Sequence, residues 1–145
     1  TSLGNLISCN SVTEFIQYNI DDVNTLIATN IKATFGETDS NFGTNGLNIS
    51  GQGEAGTNNC FYLFGQLSDA PHTGTYDNLD FQTPSDTGIN IGECINISET
   101  NNNITYNVTA LGEVDAYIDI NFSGDYEDRN GTPHTISGVI HVIRD

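Results

Sequence analysis

Along residues 113–126, EVDAYIDINFSGDY, apolar and polar positions alternate without a break. Val114, Ala116, Ile118, Ile120 and Phe122 fall on one side, and Asp115, Tyr117, Asp119, Asn121 and Ser123 on the other. Successive side chains of a strand point to opposite faces, whereas a helix would spread these apolar residues around its axis. The period therefore predicts a strand with one wet face. The segment EDRNG follows with an Asn-Gly turn signal, and HTISGVIHVIRD resumes the alternation: Ile136, Gly138, Ile140 and Val142 against Ser137, Val139, His141 and Ile143. Residues 114–126 and 134–144 thus predict an antiparallel hairpin, with Pro133 at the start of the returning strand.

The same pattern recurs upstream. FIQYNI and TLIATNIKATF predict two strands around a turn at Asp21-Asp22. GLNISGQG leads into CFYLFGQL, where Phe61, Leu63 and Leu67 oppose Tyr62, Phe64 and Gln66. GTYDNLDF reads as a short strand, and INIGECINIS and NITYNVTAL as two strands flanking a polar hairpin tip, ETNNN. Eight to ten short strands between Gly, Asn and Asp loops, with no helical pattern of useful length, predict an all-β chain. Its natural form is a two-sheet antiparallel sandwich, immunoglobulin-like or jelly-roll-like; a closed antiparallel barrel is the alternative. Residues 15–145 form one domain in this reading, preceded by an arm over residues 1–14.

Composition supports the same class. Only 36% of the 145 residues are hydrophobic, and Met and Trp are absent. The abundant Asn, Ser, Thr and Gly disfavour helix, because the first three compete for backbone hydrogen bonds and Gly costs about 1 kcal/mol in a helix interior. Nineteen acidic side chains stand against three basic ones, Lys32, Arg129 and Arg144, for a formal net charge of −16. Such a surface repels phosphate backbones and anionic lipid, so neither nucleic acid nor an anionic membrane is an expected partner. No run of 18 apolar residues provides a membrane-spanning helix. Beginning at Thr1 without an apolar leader, the chain reads as mature or trimmed.

Three cysteines, Cys9, Cys60 and Cys94, show neither CxxC spacing nor clustered His, which argues against a zinc site. Cys60 and Cys94 lie in strand-like runs, and a disulfide between them is expected. It would close a loop of roughly 35 residues and contribute about 3–4 kcal/mol. Two separate buried thiols are the alternative. Cys9 would be left single or paired with another chain.

The polar stretch GDYEDRNGTPH raises the question of a metal or acid–base site. Asp125, Glu127 and Asp128 are candidate calcium ligands there, although Arg129 stands where an acidic ligand of a D-x-D-x-D-G loop would be needed. A solvated hairpin tip is the simpler reading. Asp21 with Asp22, Asp77 with Asp80, and Glu113 with Asp115 are further pairs that could help hold Ca²⁺. No G-x-S-x-G, H-E-x-x-H or phosphate-binding Gly loop occurs, and His72, His134 and His141 are scattered. A hydrolase working through a carboxylate pair is the least supported class, and no catalytic residue is assigned. Six N-x-S/T sequons, at Asn48, Asn96, Asn103, Asn107, Asn121 and Asn130, scarcely exceed what 19 asparagines produce by chance.

HTGTYDNLDF and the stretch from ITYNVTAL to GVIHVIRD resemble the C-terminal half of small secreted or lipid-anchored β-sandwich domains of uncharacterised function from Bacteroidota. The matching elements are Gly74 to Tyr76, Phe122 to Gly124, Asn130 to Gly131, and Ile136 to Gly138 running on to Arg144. YNIDDVNTLIATNIKATF is similar to that group's first hairpin, with Asp22 where a turn glycine is usual. The resemblance spans most of residues 15–145 and implies an envelope or extracellular location, with no catalytic residues to carry over.

These readings converge on a non-catalytic extracellular or cell-surface module, structural or adhesive, with a cell-surface protein, a glycan or a second copy of itself as partner. In the self-assembling version the arm, through Leu3, Leu6, Ile7, Val12 and Phe15, adds as a strand to a neighbour's sheet edge. A calcium- or carbohydrate-binding module is the alternative.

Overall fold

The computed structural model describes residues 13–36, 43–54, 56, 59–80, 83 and 86–145. Among these residues ten antiparallel strands form two sheets: β1 Phe15–Ile20, β2 Val23–Ile27, β3 Lys32–Phe35, β4 Gly46–Gln52, β5 Cys60–Gln66, β6 Gly74–Tyr76, β7 Gly88–Ile91, β8 Asn102–Leu111, β9 Tyr117–Glu127 and β10 Pro133–Ile143. One sheet has the order β2-β1-β10-β9-β8-β6 and the other β3-β4-β5-β7. The sandwich forms, and the two sheets do not close into a barrel.

The β9–β10 hairpin is built as its alternation dictates. Pro133 pairs with Glu127 and the register runs unbroken to Ile143 opposite Tyr117. Ile118, Ile120, Phe122 and Tyr126 of β9 and Ile136, Ile140 and Val142 of β10 are buried. Gly138 sits opposite Phe122, and a Cβ there would lie 2.3 Å from the Phe122 ring. The missing side chain is the space that ring occupies. Phe122 in turn stacks against Phe61 of the other sheet at 5.9 Å and touches Tyr106 at the same separation. These rings join the sheets at the centre of the core.

Three boundaries differ from the periodic reading. β9 begins at Tyr117: residues 113–116 turn, Ala116 N–H donates to Glu113 C=O at 2.9 Å, and Asp115 has φ of 69°. Val114 is therefore 56% exposed although its phase matches the buried face. TLIATNIKATF is two strands. The chain leaves β2 after Ile27, Asn30 takes φ of 52°, and β3 enters the other sheet. INIGECINIS keeps only its first third as β7, and ETNNN runs from a crossover into the start of β8 at Asn102, since β7 and β8 belong to different sheets. At Ile95 and Ile97 alternation persists past the end of pairing, because that loop lies on the core and buries every second residue.

The turn between β1 and β2 has the two residues expected. Asp21 and Asp22 have φ of 50° and 68°, the paired left-handed conformations of a type I′ hairpin turn. Phe15, assigned above to the arm, is the first residue of β1 and lies opposite His141. Leu3, Leu6, Ile7 and Val12 fall outside the described residues.

Candidate functional site

The acids of the β9–β10 loop do not converge. Asp125 and Glu127 are alternate residues of β9 and project to the outer face, while Asp128 begins the loop. Glu127 accepts a hydrogen bond from Asn101 Nδ2 at 3.0 Å. Asp128 Oδ1 accepts from the N–H groups of Asn130 and Thr132, at 2.9 and 3.0 Å, and so shapes the loop. Among the described residues no group of three or more His, Cys, Asp or Glu side chains is arranged to hold a metal ion.

Asp128 Oδ2 instead faces His134. His134 Nε2 lies 2.9 Å from Asp128 Oδ2, and its Nδ1 lies 2.5 Å from Asp21 Oδ2. The ring stacks on Tyr126 at 5.1 Å. Asp21 Oδ1 accepts from Thr135 N–H at 2.9 Å, and Asp21 N–H donates to Thr135 C=O. An imidazole between two carboxylates cannot satisfy both unless each ring nitrogen carries a proton. Hydrogen bonds donated to Asp128 and then to Asp21 accordingly raise the His134 pKa above its usual 6.5. The bond to His134 is also the main cause that holds both carboxyls below their usual 3.8. The two carboxylates flank the ring from opposite sides, a geometry that clamps a cationic side chain and leaves no shared point for a metal.

A second His–Asp pair lies on the outer face of the six-stranded sheet. His141 Nδ1 meets Asp119 Oδ1 from the directly opposed position in β9. Its ring stacks on Tyr117 at 3.9 Å and touches Phe15 at 5.6 Å.

The Cys60–Cys94 disulfide is present, with Cα atoms 5.5 Å apart. It ties the start of β5 to the crossover after β7. Cys9, expected to be single or paired with another chain, lies outside the described residues. Beside the bridge is an open groove of about 570 Å³. Tyr18, Ile20, Val23 and Thr25 line one side, Cys94 and Ile95 the other, and His134 stands at it with its two carboxylates.

The sheet edges differ sharply. Both Ala33 backbone groups on the outer side of β3 are occupied, by Asp145 N–H to its C=O and by Asp145 Oδ2 on its N–H, each at 2.8 Å. Arg144 Nη2 donates to Phe35 C=O at 3.1 Å. At the other side of the sandwich, Ile89 N–H of β7 donates to Asp77 C=O, and the Asn90 side chain bonds both backbone groups of Leu79. The chain leaving β6 thereby closes β7, and β6 itself offers only three residues. Among the described residues, no strand pairs with the outer side of β2. Val23 and Leu26 on that strand are 68% and 58% exposed. A two-residue turn makes Ile20 and Val23 the hydrogen-bonded pair, so the alternating ladder turns the N–H and C=O of Asn24 and Leu26 outward.

The candidate site is therefore an open edge beside a clamped histidine. Sequence reasoning placed Asp128 and His134 near one another but missed Asp21, which joins them through β1–β10 pairing. Compared with known proteins, the chain matches no family model, no curated protein and no solved structure. No helix among the described residues is long and apolar enough to cross a membrane.

Proposed function

We propose that this chain is a non-catalytic structural or adhesive subunit of the cell surface or extracellular space, assembled by strand addition. Residues 1–12 of one copy would lie along the outer side of β2 of the next, while Glu14 stays in its own fold, its carboxylate accepting from Ile143 N–H at 2.7 Å. The observation that carries this reading is the contrast among edges. β3 and β7 are covered by the chain's own residues, β6 is very short, and among the described residues nothing pairs with the outer side of β2, where two apolar side chains are exposed. Natural sheets blunt open edges with Lys, Pro, bulges or extreme shortness, and β2 carries no Lys or Pro. The sequence 1–14 supplies Leu3, Leu6, Ile7 and Val12 to such a contact. The disulfide supports an oxidising compartment, as does the resemblance to secreted Bacteroidota domains.

The test compares the full chain with two variants by light scattering and electron microscopy. Deletion of residues 1–12 removes the donor and leaves Glu14 on Ile143. Leu26→Pro removes an outward N–H without touching the β1 ladder. Both variants should remain monomeric where the full chain polymerises. A full chain that stays monomeric at every concentration would sink the proposal. Leu26→Cys adds a direct check, because it should form a disulfide with Cys9 of a second copy.

A second reading, a small-ligand or glycan module, draws on a cleft of about 240 Å³ between β7 and β8. Ile95, Ile97 and Tyr106 lie in it, with the paired rings of Tyr62 and Phe64. Its volume falls below the 300–1,000 Å³ common for drug-sized ligands. Saturable binding of a monosaccharide or Ca²⁺ by calorimetry, in a chain that never polymerises, would favour it.

A further inference from the structure

We infer that His134 is a proton-operated latch, which ties the β1–β2 hairpin to the β9–β10 loop only while its ring is cationic. The inference concerns regulation of the open edge and rests, for its consequence in assembly, on the strand-addition reading above. The latch itself rests on geometry alone.

Each ring nitrogen faces a group that can only accept. Asp21 Oδ2 belongs to the turn joining β1 to β2, and Asp128 Oδ2 to the loop joining β9 to β10. A neutral imidazole carries one N–H, so it can keep one of these carboxylates and must present a lone pair to the other. Whichever contact is lost, the side-chain bridge through His134 is broken, and the turn keeps only its bonds to Thr135. The strand affected is the one that matters for assembly, because β2 is held along its inner side by β1 alone. Its five residues depend on a turn whose residues both adopt left-handed φ.

Among the described residues, the titratable groups facing the ring are Asp21, Asp128 and Tyr126. Tyr126 lies against its face, and burial is the main cause raising the phenol above 10, with Asp21, Asp128 and Tyr18 adding to it. Burial likewise raises Tyr18, on the β1 side of the groove, partly offset by a hydrogen bond with Thr25. Cys94 is in the disulfide and does not titrate, and no Lys or Arg lines that groove. Asp21 and Asp128 are already ionised wherever His134 exchanges its proton.

The sign follows from the raised folded value. The tie is fully present below pH 6.5, the unfolded value, and is lost as pH rises through the folded pKa of His134. The edge is thus an ordered template in mildly acidic surroundings and a loosened one in alkaline surroundings.

The experiment follows the full chain, at a dilution where it is monomeric, by NMR titration of His134 and by hydrogen exchange of the Tyr18, Ile20, Val23 and Thr25 amides. After correction for intrinsic exchange, the opening constant of these amides should step up as His134 loses its proton. The step should be tenfold for each unit by which the measured pKa exceeds 6.5. His134→Gln should abolish the step, and titration of His141 provides an internal control. A His134 pKa at or below 6.5, or a step that survives His134→Gln, overturns the latch. Polymer, where it forms, should dissociate over the same pH range. A step in exchange with no polymer at any pH upholds the latch and defeats the strand-addition reading instead.

Discussion

Asp145 closes the edge of β3 by bonding both backbone groups of Ala33, with its N–H on the carbonyl and its carboxylate on the amide. Ala33 is fully buried, so an N–H left without a partner there has no water to turn to. Asp145→Ala should cost about 1–3 kcal/mol in urea unfolding, the usual penalty for an orphaned buried donor. Asp145→Asn, which retains an acceptor oxygen, should recover most of it. Equal stability of the alanine variant and the parent would show that the edge is closed by other means.

Removing the disulfide should weaken the sandwich without changing its topology. Cys60 and Cys94 are separated by 34 residues, and a loop of that size corresponds to about 3–4 kcal/mol in the chain-entropy account. The double variant Cys60→Ala/Cys94→Ala should lose stability of that order, with its circular dichroism unchanged in shape at low denaturant. Since the bridge also holds the crossover wall of the groove, amides of residues 92–97 should exchange faster than those of β8 in the variant.

Acid should act through the same clamp from the other direction. Asp21 and Asp128 have carboxyls held below 3.8, chiefly by His134. A depressed folded pKa gives stability that is fully present above the unfolded value and disappears as pH falls through the folded one. Urea midpoints should therefore decline on acidification below about pH 4. The decline should be shallower in an Asp21→Asn/Asp128→Asn chain. Identical slopes for the two chains would refute a role for these carboxyls in acid stability.

The β1–β2 turn leaves room for improvement. Asp22 holds φ of 68° with a side chain, where glycine has no Cβ penalty. Asp22→Gly should stabilise the chain by about 0.5–1 kcal/mol, since left-handed backbone costs L-residues about 1–2 kcal/mol and Asp somewhat less. The gain is reduced by the extra freedom glycine brings to the unfolded chain. Thermal melting would register it as a higher midpoint, and a lower one would contradict the turn assignment.

Much of this architecture is legible in the sequence because period-two burial is local. The β9–β10 hairpin could be read from alternation and Asn-Gly alone, and its register then places Asp119 opposite His141. Strand ends are harder. Val114 keeps the phase of Ile118 yet lies in a turn, because nothing in the hydropathy marks where hydrogen bonding stops. The join at Ala28 to Ile31 is hidden for a similar reason, with only Asn30 as a turn-former. The clamp was least accessible. Asp21 and His134 are 113 residues apart, and their meeting depends on β1 lying against β10. Neighbouring acids such as Glu127 are nearer in sequence but point away, because successive strand residues face opposite sides.

That β1 lies against β10 has a consequence for how the chain is made. Phe15 finds its partner in His141, so the β1–β2 hairpin is synthesised well before the strand that completes its flank. The middle of the larger sheet is completed late, by contacts of high sequence separation, which makes for slow folding and a long-lived sticky precursor.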